Sequence, residues 1–299
     1  MGHFTLTVLN VPDVGHGVGL ALVLQPPTGK TILYDTGCGY PEGGDYAAGH
    51  SSGRDLIAPW LAARGISELD VVIISHAHYD HFGGLIWLVD HMPIHRLIDS
   101  GYVFGGQADA HYSTELGHYE RLRAVFQARP GAYQAAVTGD MLDLDPELEV
   151  EVTAPPAGFF ADPGAGSHQD WNPAAHYMLN SNSLGLRLRH GDVVFQLPGD
   201  IEKDDQARHL IPSLPPGKLR CDVLVAPGHG LHTHPDFVAA TQPQVVVASL
   251  FPRWLESCSA VEGFEAIGAR VYVTGRDGHV AITSDGTAWT ATAGTRDDV

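Results

Sequence analysis

The sequence predicts a mixed α/β chain, one domain over residues 1–299, in which two sheets pack on each other beneath outer helices. Three observations lead there. Short apolar, β-branched runs bounded by Gly and Pro recur towards both ends, and segments of helical period are interleaved with them. A hydrophobic content of 44% over 299 residues is enough for a sizeable core. The 35 Gly and 20 Pro show no repeat period, as expected for many turns and short strands rather than a solenoid.

Taken in order, Phe4 to Leu9, Gly19 to Leu24 and Thr31 to Tyr34 read as a β-meander, with Pro26-Pro27-Thr28-Gly29 as the turn between the last two. Asp35-Thr36-Gly37 closes the third strand, and Leu56, Ile57, Trp60 and Leu61 carry a helical pattern over 53–64. Val71-Val72-Ile73-Ile74 is a buried strand ending at Ser75, and Gly83-Gly84 is expected to loosen the backbone before a buried helix at Leu85 to Val89. Leu97-Ile98 is a short strand. Residues 100 to 180 lose regular pattern, apart from a helix at 114–127 and a strand at 148–153, and read as an insertion that shapes a pocket. Strands at 183–188 and 193–197 flank a Gly191-Asp192 hairpin turn, Asp200 follows, and a polar helix lies near 202–210. The strand Val223 to Ala226 leads to Pro227-Gly228-His229-Gly230. Val245 to Ala248, a helix near 260–268, and Val271 to Val273 with His279 to Thr283 around Asp277-Gly278 complete the chain.

The chemistry concentrates in His76-Ala77-His78-Tyr79-Asp80-His81, three imidazoles and a carboxylate directly after a buried strand. Histidines at i and i+2 of an extended segment share a side, so His76 and His78 can hold one ion, leaving Asp80 and His81 for a second beside it. Neutral imidazole and carboxylate without a thiolate suit zinc, with manganese or iron as alternatives. A solvated His-rich loop is the bland alternative for one histidine and a poor one for this constellation.

Lys+Arg 17 against Asp+Glu 35 gives a net charge of −18, which repels phosphate backbones and argues against a stable nucleic-acid complex. The N-terminus lacks the basic and apolar regions of a signal peptide, no apolar stretch reaches a membrane span, and Cys38, Cys221 and Cys258 read as buried or free thiols. These features lead us to expect a cytoplasmic protein acting on a small molecule. They say nothing of its oligomeric state.

The residues resemble those of the metallo-β-lactamase fold hydrolases, over nearly the whole chain. His76, His78, Asp80 and His81 stand as that family's HxHxDH motif, Asp35 as its first acidic strand end, Asp200 as its bridging aspartate and His229 as its last histidine ligand. Asp13-Val14-Gly15-His16-Gly17, Asn180-Ser181-Asn182-Ser183-Leu184 and Pro198-Gly199-Asp200-Ile201-Glu202 further resemble the hydrolase domain of ComEC-type DNA-uptake channel proteins and its free-standing relatives. The resemblance implies a four-layer αββα sandwich with two metal ions, zinc first, between its sheets. It also implies that Asp35 orients a ligand histidine.

Two departures bear on mechanism. Ordinary members carry a third histidine on the strand that here begins near Asn180, so the third ligand of the first site falls to Asn180 or Asn182, or to His176 or His168. Where ComEC-like chains have a second histidine after the one matching His229, this chain has Gly230, and His232 or His234 would take that role towards developing negative charge. The implied activity is attack by a metal-activated hydroxide, with Asp80 and Asp200 beside it, on a small phosphoester or phosphodiester. A carboxylic ester, lactone or β-lactam is the alternative substrate, and a non-catalytic metal-binding or interaction role is the alternative class. Tyr112, Trp171 and Tyr177 are the expected pocket residues from the irregular segment, against the blander expectation that its aromatics mostly pack down onto the sandwich.

Overall fold

The computed structural model describes residues 2–12, 19–40, 50–106, 108, 110–161, 174–231 and 233–294. β1 (Phe4–Val8), β2 (Ala21–Gln25) and β3 (Ile32–Thr36) form the expected antiparallel meander. From β3 the sheet continues parallel through β4 (Leu69–Ile73), β5 (Ile94–Asp99) and β6 (Tyr133–Ala135). Parallel neighbours require crossovers, and helices supply them. α1 (Ala58–Ala62), entered through a π-helical turn at Gly53–Ile57, precedes β4; α2 (Tyr79–His91) precedes β5; α3 (Ala110–Gln127) precedes β6.

A second sheet begins with β7 (Glu149–Ala154), and α4 (Ala174–Ser181) leads into the hairpin of β8 (Gly185–His190) and β9 (Val193–Leu197). α5 (Lys203–Asp205), a π-helical turn at Gln206–Leu210 and α6 (Ile211–Ser213) then cross to β10 (Val223–Val225). α7 (Pro235–Thr241), β11 (Val245–Ala248), α8 (Ser259–Glu265) and β12 (Arg270–Val273) extend the sheet in parallel. After α9 (Thr274–Asp277) the chain returns to the first sheet as β13 (His279–Ser284) and β14 (Trp289–Gly294). The strand orders are β14-β13-β1-β2-β3-β4-β5-β6 and β12-β11-β10-β9-β8-β7.

Alternating apolar residues put one core between the sheets and one outside each, which makes four layers. Phe4, Leu6, Leu22, Tyr34, Val150, Phe195, Val223 and Val247 fill the inner core. Trp60, Phe82, Leu85 and Phe126 seat the first helices on the outer face of the first sheet, and Phe237 and Phe264 seat α7 and α8 on the second. Tyr34 crosses the inner core, donating its hydroxyl to the Leu184 carbonyl at 2.7 Å. Cys38, Cys221 and Cys258 are buried.

Three expectations change. Gly83 and Gly84 do not precede the helix; they lie inside α2, which begins at Tyr79. A Cβ on Gly83 would stand 2.1 Å from the Gly39 amide nitrogen, and one on Gly84 would stand 2.1 Å from the Thr36 carbonyl oxygen. The glycines let the helix lie against neighbouring backbone rather than loosening it. Asn180 lies on α4 and not on a strand, since β8 starts only at Gly185. The segment 100–180 is more regular than its sequence pattern, holding α3, β6, β7 and α4 among its described residues. Tyr119 and Phe160 in this segment are buried, as the blander expectation has it.

Candidate metal centre

The site forms where the carboxyl ends of β3, β4, β9 and β10 meet. Open α/β sheets gather chemistry at such ends because the loops there are held by rigid strands. Asp35 closes β3 with φ 57° and His229 follows β10 with φ 58°, both in the left-handed region that a non-glycine residue rarely adopts. Such backbone persists where the surroundings over-determine it, as at functional sites. Gly199, at φ 67°, turns the chain after β9; a Cβ there would lie 2.6 Å from Cβ of Ser183.

His76 and His78 follow β4, and His78 caps α2, whose first turn carries Asp80 and His81. His76 Nε2 stands 2.8 Å from His78 Nδ1. His81 Nε2 stands 3.2 Å from His229 Nε2, and Asp200 Oδ2 lies 3.3 Å from the first and 3.2 Å from the second. Asp80 Oδ2 lies 3.6 Å from His229 Nε2 and 3.9 Å from His81 Nε2. Ligand atoms about 2.0–2.1 Å from one tetrahedral ion sit roughly 3.3 Å from each other. The observed spacings are close to that value. Two groups of ligand atoms, His76 with His81 and Asp200, and Asp80 with His81 and His229, each fall within 4.8 Å.

The supporting bonds aim these atoms. His81 Nδ1 donates to Asp35 Oδ2 at 2.8 Å, so its Nε2 lone pair faces the site. Asp35 is fixed in turn by the Ser75 amide and hydroxyl, each donating at 2.7 Å. His76 Nδ1 lies 3.0 Å from the Ser75 hydroxyl and 3.3 Å from that of Ser183, which leaves Nε2 for an ion. The Asp200 amide donates to the Ser183 hydroxyl at 3.1 Å. Ser75 and Ser183 were given no role by the sequence reading, although Ser183 belongs to the Asn180 to Leu184 stretch that carried the resemblance. Behind His76, Asp99 accepts from Tyr119, Arg123 and Tyr133 at 2.8, 2.8 and 2.7 Å. Asp99, Tyr119 and Arg123 line a small cavity together with His76.

The electrostatics call for a cation. Burial, then neighbouring His81, holds the His76 imidazole well below its ordinary range, and burial with His76 and His176 does the same to His78. Both are neutral at pH 7, the form that ligates. Burial opposes charge on His81 and His229 too, but Asp200, with Asp35 and Asp80 at His81, holds the first well above its ordinary value. Asp200 likewise lifts His229 to about 9. Burial alone would raise Asp200, yet His229 and His81 hold it well below the carboxylate range. Protons here balance buried carboxylates, and a divalent ion would do the same. Asp200 Oδ1, the oxygen turned away from His81 and His229, is buried without a hydrogen-bond partner among the described residues. The residues fit a metal pair.

The remaining candidates divide. Tyr112 donates or accepts at 3.1 Å with His176 Nδ1, and its ring lies 5.8 Å from His78. The His176 ring stacks on His78 at 4.9 Å and 22°, so it presents its face and not a nitrogen. Tyr177 is 5% exposed and packs edge-on against His176, backing the wall. Asn182 spends its side chain on the backbone, accepting from Phe160 N at 2.8 Å and donating to Phe160 O and Met178 O. It is no ligand. His234 caps α7, accepting from the Asp236 amide. Trp171, His168, His232 and the Asp13 to Gly17 stretch lie outside the described residues. Glu202 belongs to the Pro198 to Glu202 stretch of the resemblance; burial, then nearby acidic groups, raises it to about 7 despite a bond from Asn180.

A family profile described as the metallo-beta-lactamase superfamily matches residues 14–158. ComE operon protein 3 of Bacillus subtilis (strain 168) is 26% identical over 246 residues, covering 79% of this chain and 27% of that protein. The uncharacterized protein YcaI of Escherichia coli (strain K12) is 45% identical over 73 residues, 24% of this chain and 8% of its own length. This chain thus spans less than a third of either curated relative. A solved metal-dependent hydrolase of the beta-lactamase superfamily overlays with a TM-score of 0.48 at 16% identity, covering 90% of this chain and 95% of that one. Residues 14–158 thus match the metallo-beta-lactamase superfamily, and over most of its length the chain is similar to ComE operon protein 3.

Proposed function

We propose that this protein is a metal-dependent hydrolase of small phosphoesters or phosphodiesters. The reading is carried by one observation: imidazole and carboxylate atoms from three strand ends converge, buried, at the mutual spacing of ligands on an ion. His76 and His78 would hold a first ion, Asp80, His81 and His229 a second, and Asp200 would offer one carboxylate oxygen to each. Bound there, zinc, manganese or iron supplies a lowered pKa for water and a positive field for the oxygens of the attacked group. The chain's own residues do the rest. Asp35 and Ser75 fix His81 and His76 in the tautomer that ligates, and Asp80 would accept the proton of the attacking water.

No side chain nucleophile is called for. A phosphoryl group suits the centre because the positive charge that these histidines and aspartates would hold there would stabilise the negative oxygens of a displacement at phosphorus. The net charge of −18 favours a small substrate over a long nucleic acid. The test is turnover of bis(p-nitrophenyl) phosphate by metal-loaded protein, set beside p-nitrophenyl esters and a lactone. Faster ester or lactone cleavage replaces the substrate class, and no turnover with any of them removes the enzyme reading.

A further inference from the structure

Beside the metal centre stands a polar pair, Asn180, one of the candidates for the third ligand of the first site, and Glu202. Asn180 on α4 is only 6% exposed, and its Nδ2 donates to Glu202 Oε1 at 2.7 Å. Its Oδ1 is buried and has no hydrogen-bond partner among the described residues. A buried carbonyl oxygen left unpaired lowers stability, so a fold that keeps one has another use for it.

The neighbours of the amide say where it is. His176, one helical turn earlier, lies 3.4 Å from Nδ2 through its Nε2, and its ring stacks on His78. Glu202 follows Asp200 by two residues. Asn180 is therefore bracketed by a neighbour of His78 and a neighbour of Asp200, the two residues that flank the first metal position. His176 cannot fill that position as it stands, since Nδ1 faces the Tyr112 hydroxyl and Nε2 faces Asn180. Turning the amide over would set its oxygen against the Glu202 carboxyl group, so ionised Glu202 keeps Nδ2 on its own side and Oδ1 away from it.

We propose that Asn180 completes the first metal position through Oδ1 and that Glu202 is the positioning residue that holds the amide in that sense. The proposal rests on the reading of the strand-end residues as a metal centre. A position with two imidazoles and an amide oxygen is harder than one with three imidazoles, so it narrows the usual gap between zinc and manganese affinity.

The experiment uses the full chain, stripped with chelator and titrated with manganese(II) or zinc(II). Ions per chain are counted, and bound manganese is followed by its paramagnetic resonance. Wild type takes two ions. Asn180→Ala keeps the second and binds the first at least about tenfold more weakly, and Glu202→Ala weakens the first by roughly tenfold with Asn180 still in place. His176→Ala retains both, and Asn180→His raises the zinc-to-manganese affinity ratio at the first position. Unchanged first-ion affinity in Asn180→Ala or Glu202→Ala overturns the proposal while leaving the metal centre standing, as does loss of the first ion in His176→Ala alone. If Asn180→Ala does not fold, Glu202→Ala and Asn180→His decide the matter. A wild-type chain that takes no ion overturns both the proposal and the centre beneath it.

Discussion

Asp35 shows how one side chain can govern a site it does not ligate. Its two oxygens accept from the Ser75 amide, the Ser75 hydroxyl and His81 Nδ1. An amide in its place has one acceptor oxygen, so part of that set loses its partner. Asp35→Asn should weaken binding at the second metal position roughly 10–100-fold, read by metal titration, with the fold retained. Equal affinity in the variant would show that Asp35 does not orient His81. The protons on His81 and His229 make a further prediction at this scale. His229, at about 9, is mostly charged at pH 7, whereas a ligand imidazole must be neutral. Loading metal at pH 7 should therefore release protons, and metal affinity should rise as pH climbs towards 9. Calorimetry in buffers of different ionisation enthalpy reads the release directly, and a buffer-independent heat would contradict it. At this scale much was legible, because a ligand set requires particular residue types in chain order. The setting of Asn180 was not, because its partners Glu202 and His176 are chosen by packing.

At the scale of elements, the strands were read from their apolar runs, and the departures fall where tertiary contact overrides local signals. Gly83-Gly84 reads locally as a helix breaker. In the fold α2 runs straight through the pair because Gly39 and Thr36 press against it. Gly83→Ala, which would favour an isolated helix, should here destabilise the protein by about 3 kcal/mol or more, because backbone must move to admit the methyl. Thermal or denaturant unfolding measures this, and a stabilised variant would refute the close approach. α4 escaped notice for a related reason. It is only Ala174–Ser181, ending in the polar Asn180-Ser181 that resembles a loop. β6 and β14 also went unread: β6 is three residues long, and β14 is an edge strand with an exposed, polar alternation that carries little apolar signal.

Across the whole molecule, the site joins two halves of the chain. Asp80 and His81 come from the first sheet's side, Asp200 and His229 from the second, and Tyr34 ties the sheets beneath them. Metal binding should therefore be a stability term for the entire sandwich. At an ion concentration one hundred times Kd, loading stabilises a one-site fold by about 2.7 kcal/mol, visible as a rise in Tm that chelator reverses. No shift would mean that the ion does not bind the folded sandwich in preference to the unfolded chain. Among the described residues no helix is long and apolar enough to cross a membrane, and the relatives that share this sequence are far longer than the region they share. The four-layer plan was legible from the alternation of strand and helix signals together with the family motif; the polar wall around His78 depends on contacts more than twenty residues apart and was not.

The central claim is that the buried strand-end residues form a hydrolytic metal centre. Its most direct test is to count ions per chain and measure turnover of bis(p-nitrophenyl) phosphate on the same samples of wild type and His78→Ala. The account predicts two ions and turnover in the wild type, with the first ion and the turnover lost together in the variant. Turnover retained by His78→Ala, or a wild type that holds no ion, would contradict it.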